Sequence, residues 1–262
     1  MNVTVSEQGC TFKFDFAKVY WNTRLHTEHE RLCDLFHEGD AICDVMAGVG
    51  PFAVPAGKRK CFVYANDLNP ESFNCLVANI KTNKVGDFVR PFNADGHAFI
   101  RSSAADLLNT PHSIPIYPKT KKPSRTDPKP VEAPTPLKTL VQPRTFAHYV
   151  MNLPASAITF LPSFVGLYTR IPDLPASEIR KLFTPHTDTQ LPMIHVHCFS
   201  TKSDDNVAEA KSICAEISRQ LGHEITPETP DVRIYDVRDV APKKRMFCAS
   251  FRLPEEVAFR EV

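Results

Sequence analysis

The chain has 262 residues, 42% of them hydrophobic, enough to bury one good core or one large domain with an appendage. A formal net charge of +1 excludes a global basic field for nucleic acid, while a local patch stays open. The eight cysteines form no C-x-x-C pair, and Cys43, Cys61, Cys75 and Cys198 fall in apolar patterns; they read as reduced core residues of an intracellular protein, not a disulfide frame.

No apolar run is long enough to span a membrane. The first nine residues carry no basic region followed by an apolar stretch, which excludes a secretory signal there; they also lack Arg and contain Glu7, unlike a mitochondrial presequence. Residues 11–20 alternate apolar and polar and predict a strand or hairpin arm. The run from Arg24 to Arg31 is dense in titratable groups. A solvated helix face is the usual fate of such a run and the expectation here, set against a general base with ligand-positioning groups. Tyr20 and Trp21 either stack on a base or pack. Residues 30–36 predict a short helix closed by Gly39.

From Ala41 the pattern becomes strand–helix–strand. Strands are expected over 42–46, 61–65, 87–93 and 146–151, with helices near 52–58, 71–83, 98–108 and 155–167. A fifth strand at 193–199, an amphipathic helix at 207–221 and closing strands at 232–237 and 246–251 complete the chain. This order predicts an α/β fold, a Rossmann-like, doubly wound, mostly parallel seven-stranded sheet with an antiparallel last strand. Residues 1–39 read as a strand and linker segment leading into a catalytic domain over 40–262. Residues 111–143, dense in proline, Lys and Arg, read as a disordered insertion within that domain.

Four strand ends carry polar residues. The first runs from Asp44 through Gly48-Val49-Gly50 into a helix start. Glycines there let backbone approach a ligand, and the helix offers free N–H groups. Ala53 stands where a dinucleotide fingerprint wants its third glycine, a substitution sometimes tolerated. Asp67 ends the second strand, placed to accept both ribose hydroxyls; its bland role, a helix N-cap, suits Asn69-Pro70 better. Asp95 ends the third, where it accepts from an adenine amino group or serves as a turn residue before Gly96. Asn152-Leu153-Pro154 ends the fourth; an Asn offers both a donor and an acceptor to a purine edge, and a plain turn is equally compatible. His195-x-His197 puts two rings on one strand face, and without a third ligand nearby both read as ordinary strand residues, with no metal site. No G-x-S-x-G elbow supports hydrolase chemistry.

Taken together, the segments from Val19 to Leu25 with Glu28-His29, from Asp44 to Phe52, from Asn66 to Pro70, from Asn93 to Gly96, and Asn152-Leu153-Pro154 resemble the eukaryotic–archaeal tRNA (guanine37-N1)-methyltransferase family. The closing segments 237–242 and 247–252 also resemble it. The resemblance implies S-adenosyl-L-methionine as cofactor, with His29, Asp67, Leu68, Asp95, Gly96 and Asn152 at contact positions; Asp44, Gly48 and Gly50 of the first strand end complete the expected cofactor site. It implies Glu28 as general base, its pKa raised by partial burial. Arg24 falls near the target base and phosphate, and Asn152 and Pro154 fall on the turn that holds the guanine. The implied partner is the tRNA anticodon loop at G37, acted on by a monomer in cytoplasm, nucleus or mitochondrial matrix, without a membrane. The family's long N-terminal region, which grips the tRNA outer corner and supplies an arginine for O6, has no counterpart in this sequence. The expectation is therefore a catalytic core that keeps cofactor binding better than tRNA affinity. Two alternatives stay open: an aminocarboxypropyl transferase of the wybutosine pathway, and a non-catalytic cofactor- or tRNA-binding module. Lys119, Lys121, Lys122, Arg125 and Lys129 of the insertion and Lys243-Lys244-Arg245 are further phosphate candidates; for the insertion a solvated linker is the favoured reading.

Overall fold

The computed structural model describes residues 1–118, 135–201, 205–242 and 244–261. Strands β1 (Asn2–Glu7) and β2 (Cys10–Asp15) form an antiparallel hairpin. Its two turn residues, Gln8 and Gly9, both take positive φ (48° and 68°), matching the twist of the flanking strands. A 3-10 turn at Thr23–Leu25 follows, capped by the Asn22 side chain, which accepts from the Arg24 amide. This cap starts helix α1 (His26–Cys33) earlier than the helix expected at 30–36.

The alternation then runs β3 (Ala41–Asp44), α2 (Ala53–Lys58), β4 (Phe62–Asn66), α3 (Pro70–Asn83), β5 (Val89–Phe92) and α4 (Gly96–Asn109). A side hairpin pairs β6 (Ser113–Ile116) with β7 (Lys138–Val141). After β8 (His148–Met151) come a 3-10 helix at Ala157–Phe164, α5 (Ala176–Arg180), β9 (Met193–Thr201), α6 (Asn206–Leu221), β10 (Arg233–Ala241), β11 (Lys244–Arg252) and α7 (Glu255–Ala258).

The central sheet has seven strands in the order β10-β11-β9-β8-β3-β4-β5. Strands β9, β8, β3, β4 and β5 are mutually parallel. The last strand, β11, runs antiparallel to both neighbours and inserts between β9 and β10. The doubly wound sheet with an antiparallel last strand is thus the observed fold. Alternate residues of its strands feed two cores. Cys43, Tyr64, Tyr149 and Ile194 face one cluster, under α4, α6 and the 3-10 helix. Ile42, Val63 and Val150 face the other, under α2, α3 and the N-terminal hairpin, whose Phe12 and Phe14 join it. Burial on both faces explains why these strands read as continuous apolar runs.

Two expectations are corrected. The insertion expected to be disordered over 111–143 is paired at both ends: Ile114 faces Leu140 across β6 and β7, and Ile114 is buried. The five basic insertion residues named above, and Lys243, lie outside the described residues. The helix expected over 155–167 is a shorter 3-10 segment with Pro162 inside it, since proline removes an α-helical donor and clashes with the preceding turn. Among the described residues no helix is long and apolar enough to cross a membrane.

Candidate active site

Strand order reverses between β3 and β8, because the chain winds from β3 toward β4 on one side and from β8 toward β9 on the other. Such a switch point leaves a crevice at the carboxyl ends of the strands. Here it opens into a cavity of about 610 Å³, within the usual range of small-molecule sites. Residues of every predicted strand end reach it: Gly48, Asp67, Leu68, Asp95, Gly96, Asn152 and Pro154 all line it.

The glycine turn is built for close approach. Gly48 and Gly50 have φ of +59° and +98°, and a Cβ on Gly50 would lie 2.8 Å from the Leu76 side chain. The Gly48 amide donates to Asp67 Oδ2 at 2.8 Å, and the Asn69 amide to Oδ1 at 2.9 Å. Asp67 is therefore fixed at the turn, while Asn69 caps α3 by accepting from the Glu71 amide. Burial raises the Asp67 pKa. Asp95 caps α4, its Oδ1 accepting from Ala98 at 3.1 Å, and remains exposed at the cavity rim. Gly96 is buried; a Cβ there would stand 2.8 Å from the Phe160 ring and 3.3 Å from Val45. Leu68 is largely exposed beside them.

Asp44 lies beneath this turn, wholly buried, and neither carboxyl oxygen has a hydrogen-bond partner. Burial, reinforced by the charge of Asp67, pushes its pKa up to about 8. It does not itself line the cavity. Asn152 does, and its Oδ1 also has no partner. Unpaired buried polar groups are costly, and around this cavity Asp44, Asn152 and the Trp21 indole Nε1 leave bonding capacity unused.

The run from Arg24 to Arg31 is not a solvated face. Glu28 is 1% exposed and His29 3%. His29 lines the cavity, packs edge-on against Phe52, and is held through Nδ1 by Glu7 of β1 at 2.6 Å. Glu28 points away from the cavity. Its Oε2 accepts from Arg31 Nε at 2.6 Å, and its Oε1 from Arg31 Nη2 and His197 Nε2, both at 2.8 Å. Burial works to raise its pKa, but the bonds from Arg31 and His197 outweigh that and hold it down at about 2. The expected raised pKa at Glu28 is thus reversed: the side chain gains a buried ion pair, which partial burial alone did not anticipate. Arg31 in turn stacks 4.1 Å over the Tyr235 ring.

His197 is consequently more than a strand residue. Burial opposes its charge, yet Cys248 and Glu28 raise its pKa to about 10. Ligand atoms of Glu28, His197 and Cys248 lie within 4.8 Å of one another. Arg31 already occupies both Glu28 oxygens and adds a positive charge, which disfavours a cation there. His195 behaves differently: it bonds His148 at 3.0 Å and Ser250 at 2.7 Å, and burial drives both imidazoles toward neutrality.

A second chamber of about 290 Å³ adjoins the first and shares Tyr20, Asn22, Pro154 and Phe199 with it. Arg24, exposed, opens onto this chamber and not onto the main cavity, and Arg238 of β10 lines it too. Of the aromatic pair, Trp21 packs on Phe12 and Phe14, while Tyr20 stays 70% exposed at the junction. Sequence reasoning named neither Arg238 nor Asn66 for a role. Asn66 donates to Val45 and Ala94 carbonyls, both at 3.0 Å, and accepts from the Ala94 amide, tying three strand ends together.

A model of the TRM5/TYW2 methyltransferase domain matches residues 3–115. The segment that carries the N-terminal hairpin and strands β3 to β5 is thus similar to the TRM5/TYW2 methyltransferase domain. The chain's curated relatives include tRNA (guanine(37)-N(1))-methyltransferases of Phaeosphaeria nodorum, 68% identical over 262 residues, and Schizosaccharomyces pombe, 46% identical over 262 residues. Each match covers nearly all of this chain (100% and 98%) but 54% of the relative, so the chain spans about half the length of the curated relatives it matches. Among solved structures, Pyrococcus abyssi Trm5b superposes with a TM-score of 0.57 at 23% identity, covering 96% of this chain and 55% of that one. Methanocaldococcus jannaschii TYW2, solved with AdoMet, gives 0.57 at 19% identity, covering 96% and 86%. At such identities these superpositions show the TRM5/TYW2 fold alone.

Proposed function

We propose that this chain methylates N1 of guanosine 37 in the tRNA anticodon loop, with S-adenosyl-L-methionine as methyl donor. The observation that carries the reading is the meeting of Asp67, Asp95 and Asn152 around one cavity beside the Gly48–Gly50 turn. Relatives as similar as 68% bear the name of that activity. The cavity volume, the closely approachable turn and the unused Asn152 Oδ1 fit a nucleoside cofactor next to a purine.

Asp67 holds the ribose hydroxyls, since its carboxylate sits at the end of β4 facing the cavity. Asp95 and the backbone around Gly96 hold the adenine edge. His29 and Leu68 line the same space. When bound, the cofactor supplies an electrophilic methyl on a sulfonium that needs only in-line placement, so positioning by these residues provides much of the rate. Asn152 Oδ1 accepts from the donor edge of guanine, which adenine lacks at N1. Pro154 stiffens that turn. The target base leaves the loop stack to arrive there.

Glu28, at the position the family resemblance gives to the base, is buried on Arg31 and His197 and does not line the cavity. To take the N1 proton it must exchange Arg31 and His197 for the guanine edge. Glu28→Gln checks this: loss of methyl transfer by about a hundredfold or more, with cofactor affinity kept, assigns it the proton, and retained transfer sends the proton to solvent.

The test of the whole reading is methyl transfer from labelled cofactor to unmodified tRNA transcripts with G37, against A37 controls. Transfer confined to G37 is expected. A product heavier than a methyl adduct would assign aminocarboxypropyl transfer instead. Cofactor binding by calorimetry without transfer would leave this chain a binding module.

A further inference from the structure

The second chamber takes its positive charge from distant parts of the chain: Arg24 precedes α1, and Arg238 lies on β10. Strand β10 is irregular on both sides of Arg238, with register shifts between Asp236 and Arg238 and between Asp239 and Ala241. Bulges of this kind re-aim side chains, often beside active sites. Here Val237 packs back onto the N-terminal core while Arg238 turns to the chamber.

Arg238 is oriented but not consumed. Its Nε donates to the Asp239 carbonyl at 3.0 Å, and its terminal Nη groups have no hydrogen-bond partner among the described residues. The adjoining acid Asp236 is engaged by Arg245, and Asp239 flanks Arg238 in sequence. Lys244 places its ammonium 3.8 Å from the centre of the Phe199 ring, on the wall shared with the main cavity. Two guanidiniums facing one chamber, with aromatics at its mouth, suit a phosphodiester whose base lies next door.

We propose that Arg238 is a phosphate-anchoring residue: with Arg24 it holds the phosphodiester of the single-stranded RNA nucleotide whose base enters the main cavity. The proposal rests on the RNA-methylation reading. Base contacts alone leave the extruded nucleotide free to swing about its backbone. A second guanidinium, on the edge strand β10, holds the backbone at a second point of the same chamber.

The experiment compares the wild-type chain with Arg238→Gln and Arg238→Lys, each first checked by thermal melting and by calorimetry with S-adenosyl-L-methionine. Affinity for a fluorescent anticodon stem-loop RNA is read by anisotropy across a salt titration. Arg238→Gln is expected to weaken RNA binding about fivefold at low salt and to lower the slope of log Kd against log salt by roughly 0.7 to 1, with cofactor affinity unchanged. Arg238→Lys is expected to restore the slope and part of the affinity, because it keeps the charge and loses the fork. Unchanged RNA affinity and slope in Arg238→Gln overturns the anchor, as does an equal loss of cofactor affinity. Methyl transfer by the wild-type chain separates the two ideas. Transfer with an indifferent Arg238→Gln sinks the anchor alone. RNA affinity that depends on Arg238 without any transfer sinks the methylation reading alone.

Discussion

Glu28 and His197 form a buried pair whose pH dependence has a definite sign. Glu28 is held at about 2, below its ordinary range, so its contribution is present above about pH 4.5 and is lost as pH falls through 2. His197 is raised to about 10, so its contribution is full below about pH 6.5 and is lost as pH rises through 10. The pair is at full strength between these limits, and thermal melts should show the wild-type advantage over Glu28→Gln to be greatest near pH 5 to 6. Breaking such a pair from one side costs about 3 kcal/mol, since it strands Arg31 and His197. Asp44 has the sign of His197 and opposes Glu28. With its pKa raised to about 8, its neutral form stabilises the fold below about pH 4, and that contribution disappears as pH rises through 8. Asp44→Asn should therefore melt progressively higher than wild type from pH 6 to pH 9 in cofactor-free protein, by a few kcal/mol at the alkaline end. A flat difference across that range would contradict the burial argument. On the proposed RNA-methylation reading, Tyr20, exposed where the two chambers join, stacks on a base: Tyr20→Ala should raise the KM for tRNA by about tenfold, the worth of one stacked base, with the KM for cofactor unchanged.

Helix α3 positions the glycine turn through one side chain. Asn79, wholly buried, accepts from the Lys13 amide of β2 at 2.8 Å and donates to the Val49 carbonyl at 3.1 Å. Asn79→Leu should cost about 2 to 3 kcal/mol in denaturant unfolding, because it orphans both backbone groups. Gly96, where α4 begins against Phe160, has a different consequence. Gly96→Ala should displace that ring and weaken cofactor binding at least tenfold, while unfolding changes by only about 1 to 2 kcal/mol. The parallel strands and their polar ends were legible because each spacing belongs to a single strand–turn–helix unit: Asp44, Asp67, Asp95 and Asn152 all emerge where a strand stops. The 3-10 segment around Pro162 and the pairing of Ile114 with Leu140 were less so, since a proline-rich composition hides short pairs whose partners are far along the chain. Arg31, His197 and Cys248 were illegible as a group. Their meeting depends on β11 inserting beside β9, and no local pattern announces the order in which closing strands assemble.

The whole molecule is organised around contacts between its two ends. The hairpin β1–β2 supplies Glu7 to orient His29, the segment before α1 supplies Tyr20 and Arg24, and β9 and β10 supply Phe199 and Arg238 to the same chamber. The main cavity, by contrast, is lined mostly by residues between 45 and 160. This division explains why most of the main cavity's polar lining could be read from consecutive motifs while the outer chamber could not. The bond between Glu28 and His197 spans 169 residues of sequence. During synthesis the N-terminal half therefore emerges with its glutamate and arginine in place and their histidine still unmade. Parallel pairing of β3, β4 and β5 requires no later residue, but α1 has no imidazole to dock on until β9 has left the ribosome, and no β11 to lie beside. Vectorial folding thus forms the strand ends around the Gly48–Gly50 turn before the chamber that Arg24 shares with Arg238 can close.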